Sequence, residues 1–390
     1  PELAMVTHGG GKKLEENLVL RPTSETIIYH MFAKWVMSYR DLPILMNQWA
    51  NVFRWEMRPR LFLRTLEFLW QEGHTAHRYE EEAEAETKTA LEMYRQFAEE
   101  TLAIPVITGE KTETERFAGA VRTYCIEAMM RDGKALQAGT SHMLGQNFAK
   151  AFDLQFQDQD GENKYAYNTS WGVSTRLVGA VIMVHGDDNG LILPPKIAPY
   201  QIVIVPIYRS DEERAPVLEV AEKIRAALPE VRMHLDDRDQ YKPGWKFAEW
   251  EQKGVPLRME IGPKDVAKGQ VVLTQRHDRQ KEFIPIDDAI AQIPAKLDDL
   301  QKALFERARA FRDERTHKID SYDEFKKRVG DGGFYLAHWD GTKETEAKVK
   351  ADTKATIRCI PFAGEGAGEE GVCMVSGKPS KQRVVFARAY

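Results

Sequence analysis

The sequence predicts an α+β unit over residues 1 to about 194, a small α/β domain after it, and a last segment reached through a long charged helix. Three observations carry this. Near the start, an apolar-periodic helix is followed by two strand-like segments that mix bulky and charged residues. Pro194-Pro195-Lys196-Ile197-Ala198-Pro199 then marks a boundary. Beyond it, short strands and helices alternate, as in a parallel or mixed sheet.

In order, Thr23-Ser24-Glu25 precedes an apolar-periodic run to Tyr39, which reads as a capped helix. Strands are expected around Asn47–Glu56 and Phe62–Gln71, joined by a short Arg-rich loop, Met57–Leu61. Glu80–Leu102 reads as a helix whose acidic run is a solvated face. Thr169-Ser170-Trp171-Gly172-Val173-Ser174-Thr175-Arg176 reads as a strand turning into an apolar helix. After the boundary come a strand (Gln201–Ile207), a helix (Glu212–Leu228), a strand (Val231–Leu235), a helix (Trp245–Lys253) and two strands (Leu257–Ile261, Gln270–Thr274). A helix over roughly Ala295–Thr316 leads to the last segment.

Composition bounds the function. At 390 residues the chain divides into two or three domains, and 43% hydrophobic with 29% charged residues is globular. Lys plus Arg number 55 against 60 Asp plus Glu, a net charge of -5, so a nucleic-acid contact needs a local basic surface. Cys125, Cys359 and Cys373 are odd in number and far apart, which points to a reducing compartment, the cytoplasm, rather than a disulfide framework. Apolar stretches such as Leu177–Val184 are too short to cross a bilayer. The chain opens on Pro1 inside a running pattern, so a native N-terminus upstream is expected and the lack of a signal peptide carries no weight.

Three clusters could carry chemistry. In Val52-Phe53-Arg54-Trp55-Glu56, a strand would put Arg54 and Glu56 on one face. With Leu63-Arg64-Thr65-Leu66-Glu67-Phe68 returning, the charges meet either each other across a hairpin or a ligand. Leu136-Gln137-Ala138-Gly139-Thr140-Ser141-His142 sets small residues beside polar ones, and His142 reads as structural or as a ligand contact. Arg176 at a strand-to-helix junction offers a planar fork that matches phosphate oxygens.

Together and in this order, the Arg-x-Glu hairpin and the Gly-x-x-x-Arg element resemble motifs 2 and 3 of class II aminoacyl-tRNA synthetases. Arg21-Pro22-Thr23-Ser24-Glu25, Asn47-Gln48-Trp49, Phe68-Leu69-Trp70-Gln71-Glu72-Gly73-His74, Gln137-Ala138-Gly139-Thr140-Ser141-His142 and His185-Gly186-Asp187-Asp188 resemble the prolyl-tRNA synthetases of the archaeal and eukaryotic-like type. The resemblance covers essentially the whole chain. It implies an α+β catalytic domain built on an antiparallel sheet (1–196), an α/β anticodon-binding domain (197–293) and a small α+β C-terminal domain (294–390).

The implied reaction is attack of proline's carboxylate on the α-phosphorus of ATP, giving prolyl-adenylate and pyrophosphate, followed by transfer to tRNA(Pro). Catalysis is then positioning and charge neutralisation, with no protein nucleophile. The resemblance assigns Arg54 to the α-phosphate and the proline carboxylate and Arg176 to the γ-phosphate. It sets Glu56, Arg64, Thr65, Gln137 and Thr140 against ATP, with Mg²⁺ bridging the phosphates. Thr23, Glu25, Arg54 and His142 are implied for proline, with Phe68 and Trp171 as pocket walls. Thr23 and Glu25 also read as a simple capping pair.

In the anticodon-binding part, Asp236-Asp237-Arg238, Lys246-Phe247-Ala248-Glu249-Trp250-Glu251, Arg258 and Gly262-Pro263-Lys264-Asp265 carry the match. Glu251, Arg258 and Lys264 are implied for anticodon bases, although surface ion pairs explain each charge singly. Trp250 either stacks on a base or packs.

Some relatives carry a four-cysteine zinc site. Here three of its positions hold Trp339, Thr345 and Ser376, leaving Cys373, so no metal is expected. The span His77–Ala135 leaves no room for a further folded domain, which implies no editing in cis. The chain ends at Tyr390, matching relatives whose terminal tyrosine returns toward the active site. Motif 1, which builds the family's homodimer interface, is missing, so the dimer is expected of the full-length protein. The rival readings are a class II synthetase for threonine or glycine, and a silent relative that binds tRNA. A threonine enzyme needs a Cys/His/His zinc set in its pocket, and loss of Glu25, Arg54 or Arg176 would mark a silent one.

Overall fold

The computed structural model describes residues 3–364 and 366–390. Two compact units are present: one of residues up to Phe97, Val106–Ala180 and Arg312–Tyr390, the other of Ala98–Pro105 and Val181–Phe311.

The first unit opens on a hairpin, β1 (Met5–Gly9) with β2 (Lys12–Val19), then helix α1 (Glu25–Trp35). α1 begins where expected, but the Ser24 side chain makes no cap: its hydroxyl donates to Glu72 on the sheet below. Strands β3 (Ile44–Phe53) and β4 (Glu67–His77) form a long antiparallel hairpin.

Its strands lie closer to the chain ends of the expected segments, and the connection is a thirteen-residue loop, 54–66, not Met57–Leu61. The last rung is Arg54 N–H to the Leu66 carbonyl, so Arg54 and Glu56 belong to the loop rather than to a strand face. The apolar pattern at Phe62-Leu63 has a different cause. Both side chains pack on Gly179, where a β-carbon would lie 2.9 Å from Leu63 Cδ2.

Helix α2 (Glu80–Gln96), ended by a π-turn over Phe97–Thr101, covers the sheet. Strands β5 (Val106–Glu110), β6 (Arg122–Met129) and β7 (Ala135–Gly145) follow. Next come a short helix α3 (Asn147–Phe152), a small hairpin β8 (Gln155–Gln157) with β9 (Asn163–Tyr165), and strand β10 (Tyr167–Ser174) running into helix α4 (Arg176–His185). Tyr29 and Phe32 of α1, fully buried, pack with Leu144, Leu154 and Phe156 in one core beneath the sheet.

In the second unit β11 (Ile202–Pro206), helix α5 (Asp211–Ala227), β12 (Met233–Leu235), helix α6 (Pro243–Gln252), β13 (Leu257–Ile261), a short helix α7 (Pro263–Ala267), β14 (Gln270–Gln275) and β15 (Lys281–Pro285) build a mixed sheet. Its order is β12-β11-β13-β14-β15, parallel up to β13 and antiparallel beyond, around Ile202, Ile204, Met259 and Leu273. The long helix α8 (Ile286–Glu314) starts nine residues earlier than expected, because Pro294 lies inside it instead of before it. A proline there removes one hydrogen bond, yet buried Ala289, Ile293 and Leu297 hold both sides of it in the core.

The remaining elements are β16 (Thr316–Lys318), helix α9 (Tyr322–Arg328), β17 (Phe334–His338), helix α10 (Lys343–Thr353), β18 (Thr356–Pro361), the short pair β19 (Gly371–Val372) with β20 (Pro379–Ser380), and β21 (Arg383–Ala387). They extend the main sheet, whose ten strands run β16-β17-β21-β18-β5-β6-β7-β10-β4-β3, with every pair antiparallel except β16 with β17. Here Asp340 gathers the hydroxyls of Thr342 (2.8 Å), Thr345 (2.6 Å) and Ser376 (2.6 Å). Burial raises its pKa, but these bonds outweigh it and hold the carboxyl at about 2. Thr345 and Ser376 thus serve a carboxylate, and with Trp339 and the buried Cys373 they make no zinc donor set. Among the described residues no helix is long and apolar enough to cross a membrane.

Candidate active site

The face of the main sheet that carries chemistry is fixed by strand parity. Phe68, Trp70, Glu72 and His74 of β4 point one way, and the register pairs Glu72 with Gly172 and Trp70 with Ser174, so Ser170, Gly172 and Ser174 of β10 share that face. On β7 a bulge skips Ala138: Glu127 pairs with Gln137 while Cys125 pairs with Thr140. The extra residue brings Gln137 into phase with Thr140 and His142.

These side chains surround a cavity of about 220 Å³, with Thr23, Glu25, Arg54, Phe68, Gln137, Thr140, His142 and Arg176 in its walls. A second cavity of about 220 Å³ shares Arg54, Phe68, Ser174 and Arg176 with it and adds Glu56, Arg64 and Thr65. Trp171 is not in either wall. The Trp171 side chain faces away, and its indole covers Gly73, where a β-carbon would lie 2.0 Å from the ring. Trp70 takes the place expected of Trp171.

At one end of the first cavity Glu25 is buried, accepting hydrogen bonds from Thr23 and, at 3.0 Å, from Ser170. Beside it Glu72 accepts from Ser24 and Gln48 and lies 3.0 Å from His74. Arg54 donates to the Pro22 carbonyl at 2.9 Å, and its guanidinium lies over Phe68 and Trp70 at 5.3 and 5.9 Å. His142 is neutral: burial first, then its neighbours His74 and Arg54, push its pKa down to about 3. Its Nδ1 is 3.0 Å from the Thr123 hydroxyl, and the Phe117 ring lies against it at 4.7 Å, tilted by 33°.

Arg176 stands where the cavities join. Its Nε donates to the Leu63 carbonyl (3.0 Å) and Nη1 to that of Gln137 (3.3 Å). Burial and then Arg64 lower its pKa from the ordinary arginine value, so this is a cation held in place against repulsion. Arg64 faces Glu56 at 3.6 Å and donates to the Tyr390 carbonyl at 2.8 Å, with the Tyr390 ring under Arg60 at 5.5 Å. An acidic acceptor at one end and fixed guanidiniums at the other suit an amino acid beside a polyphosphate.

The sequence reading missed Trp70, Glu115, Arg116, Phe117 and Thr123 in the first cavity. The strand parity that excludes Trp171 could have found Trp70. No local pattern marks Glu115–Phe117, which lie in an irregular loop.

In the second unit, Glu251 and Arg258 line one cavity of about 200 Å³ with Arg276, Arg279 and Lys281, and Lys264 lies outside its wall, on α7. Glu251 pairs with Arg279 (2.6 Å), and Arg258 with Glu260 (2.9 Å). Trp250 packs: it is buried and donates to Asp236 at 2.8 Å.

Comparison with known proteins identifies the family. Residues 8–185 match the tRNA synthetase class II core domain (G, H, P, S and T), 201–296 the anticodon binding domain, and 322–390 the prolyl-tRNA synthetase C-terminal domain. A proline–tRNA ligase of Chloroherpeton thalassium is 60% identical over all of this chain and 82% of its own length. One of Porphyromonas gingivalis is 59% identical over 97% of this chain and 77% of its own. Among solved structures, prolyl-tRNA synthetase of Cryptosporidium parvum with halofuginone and AMPPNP superposes with a TM-score of 0.96 at 41% identity. It covers 100% of this chain and 81% of its own, and the same enzyme with L-proline and AMP gives 0.96 at 40%. The chain belongs to the prolyl-tRNA synthetase family of class II aminoacyl-tRNA synthetases, the proline–tRNA ligases.

Proposed function

We propose that the two joined cavities are the activation site of this ligase, with proline in the first and the ATP phosphates reaching into the second. The observation that carries this is the placing of Arg54 and Arg176 in both walls with Glu25 at the far end. The secondary ammonium meets Glu25 and Thr23, and the pyrrolidine ring lies against Phe68, Trp70 and neutral His142. Arg54 binds the proline carboxylate and the α-phosphate, bringing nucleophile and electrophile together. Arg176 takes the γ-phosphate, and Arg64, Thr65, Gln137 and Thr140 hold the rest of the nucleotide. Because each guanidinium is already anchored to a backbone carbonyl, charge growing on the phosphates is met without reorganisation.

Magnesium binds through few carboxylates plus phosphate oxygens, and Glu56 is the one carboxylate on the second cavity that fits this. Bound there, Mg²⁺ would neutralise phosphate charge. Glu251, Arg258 and Lys264 read the anticodon of tRNA(Pro), so residues 1–196 activate, 197–293 recognise tRNA, and 294–390 complete the fold. The buried free thiols Cys125, Cys359 and Cys373 support a cytoplasmic location.

ATP–pyrophosphate exchange across the twenty amino acids tests this reading, and proline alone is expected to respond. Exchange with threonine or glycine, or with none, would overturn it.

A homodimer of the full-length protein fits the exposed apolar row of Leu45, Trp49 (85% exposed) and Leu69 at the β3 end of the sheet. Light scattering is expected to give twice the chain mass for the full-length protein, and Trp49→Glu to give the monomer. A monomeric wild type would end that reading.

A further inference from the structure

We infer that Glu346, on helix α10, is a positioning residue for the amino-acid site: it holds the 111–117 loop so that Arg116 and Phe117 close over His142. The inference rests on the reading of the first cavity as the proline site. The loop joins β5 to β6 and has no regular structure beyond turns, so its own backbone does little to fix it.

What fixes it comes from more than 200 residues away. The Thr112 and Thr114 hydroxyls donate to the two oxygens of Glu346, at 2.8 and 2.5 Å. The Lys111 ammonium donates to the Arg358 carbonyl on β18 (2.6 Å) and pairs with buried Glu127 (2.7 Å). Glu113 pairs with Lys343 (2.7 Å) and Glu115 with Lys350 (3.2 Å). Five consecutive residues, Lys111 to Glu115, are therefore tied to the C-terminal segment, and the next two line the cavity.

These ties are unequal. The Lys343 and Lys350 pairs are exposed and weak. Glu346 is buried, ionised acceptors make the stronger hydrogen bonds, and its place in the first turn of α10 favours negative charge. Its two oxygens hold alternate residues of the loop, which sets the direction of the chain into Arg116. At the far end Phe117 N–H donates to the Thr123 hydroxyl (3.1 Å), which also meets His142, so the loop is held between Glu346 and the floor of the pocket.

A loop released from Glu346 would be competent for only a fraction of the time, and apparent affinity for proline falls by that fraction. The second cavity has no residue of this loop in its wall, so the phosphate end of ATP is held without it. In proline-dependent exchange, Glu346→Ala is expected to raise the KM for proline at least tenfold and leave the KM for ATP within twofold. Thr112→Val/Thr114→Val, which leaves α10 intact, is expected to do the same, and adding it to Glu346→Ala to do little more. Glu346→Gln, which keeps one acceptor, is expected to recover part of the loss.

An unchanged KM for proline in the double threonine variant, or parallel rises in both KM values, would overturn the positioning role. Glu25→Gln, measured alongside, separates the two readings. If it too leaves proline binding unchanged, the site assignment itself has failed, and the positioning role with it. If it alone loses proline, only Glu346 is acquitted of its role.

Discussion

Glu25→Ala is expected to abolish proline-dependent ATP–pyrophosphate exchange while the fold survives. Glu25 is buried at the end of the first cavity with two hydroxyl donors, Thr23 and Ser170, and the cavity opens from it toward Arg54. A secondary ammonium brought there loses water and needs a charged acceptor. Removing one partner of a buried charge pair costs about 3–5 kcal/mol. At 1.4 kcal/mol per tenfold, that is a loss of roughly two to three and a half orders of magnitude in kcat/KM for proline.

Glu25→Gln isolates the charge, because it still accepts from Thr23 or Ser170 and fills the same space. It is expected to lose most of the same activity with little change in the thermal midpoint. If Glu25 served only to begin α1, the Ala variant would lower stability and leave exchange near normal. That outcome would remove Glu25 from the substrate site.

Much of this arrangement is legible in the sequence, and the exceptions share a cause. Arg176 could be placed because the junction of β10 and α4 is local: a strand carrying small residues gives way at once to an apolar helix. Six elements of the second unit are legible for the same reason, β11 being a continuous apolar run, whereas the short α7 and β15 are not among those expected. Where the reading slipped, a distant contact had changed the local pattern. Phe62-Leu63 resembles strand text because it packs on Gly179, and Ser24 resembles a cap although its hydroxyl is taken by Glu72.

Pro294 reads as a helix start because proline is tolerated there, whereas a buried face carries α8 through it. Trp171 and Trp70 differ only in strand parity, and parity cannot be assigned until the register of β4 with β10 is known. The 111–117 loop is the extreme case. Nothing local marks its charged residues, and what gives them a role is a carboxylate at position 346.

Arg176→Ala is expected to be as damaging as the loss of Glu25, but with the opposite substrate signature. Both Nε and Nη1 of Arg176 are bonded to carbonyls of Leu63 and Gln137, so the guanidinium reaches the cavities as a fixed fork. Its burial and the nearby Arg64 and Arg54 charges make that position unfavourable until an anion arrives. A site of this kind is worth most when negative charge grows, which here is during attack at the α-phosphorus and departure of pyrophosphate. Loss of one preorganised donor of this sort costs roughly 10²–10³ in kcat.

Arg176→Ala is therefore expected to lower exchange by that factor, raise the KM for ATP and leave proline binding nearly intact, as read by equilibrium titration with proline alone. Arg176→Lys is expected to rescue little, since an ammonium keeps the charge but cannot bond both carbonyls and still present a fork to phosphate. Strong rescue by lysine would show that charge alone suffices and that the anchoring by Leu63 and Gln137 has no catalytic weight. Retention of more than a tenth of wild-type exchange in the alanine variant would place the γ-phosphate elsewhere, with Arg64 the next cation on that cavity.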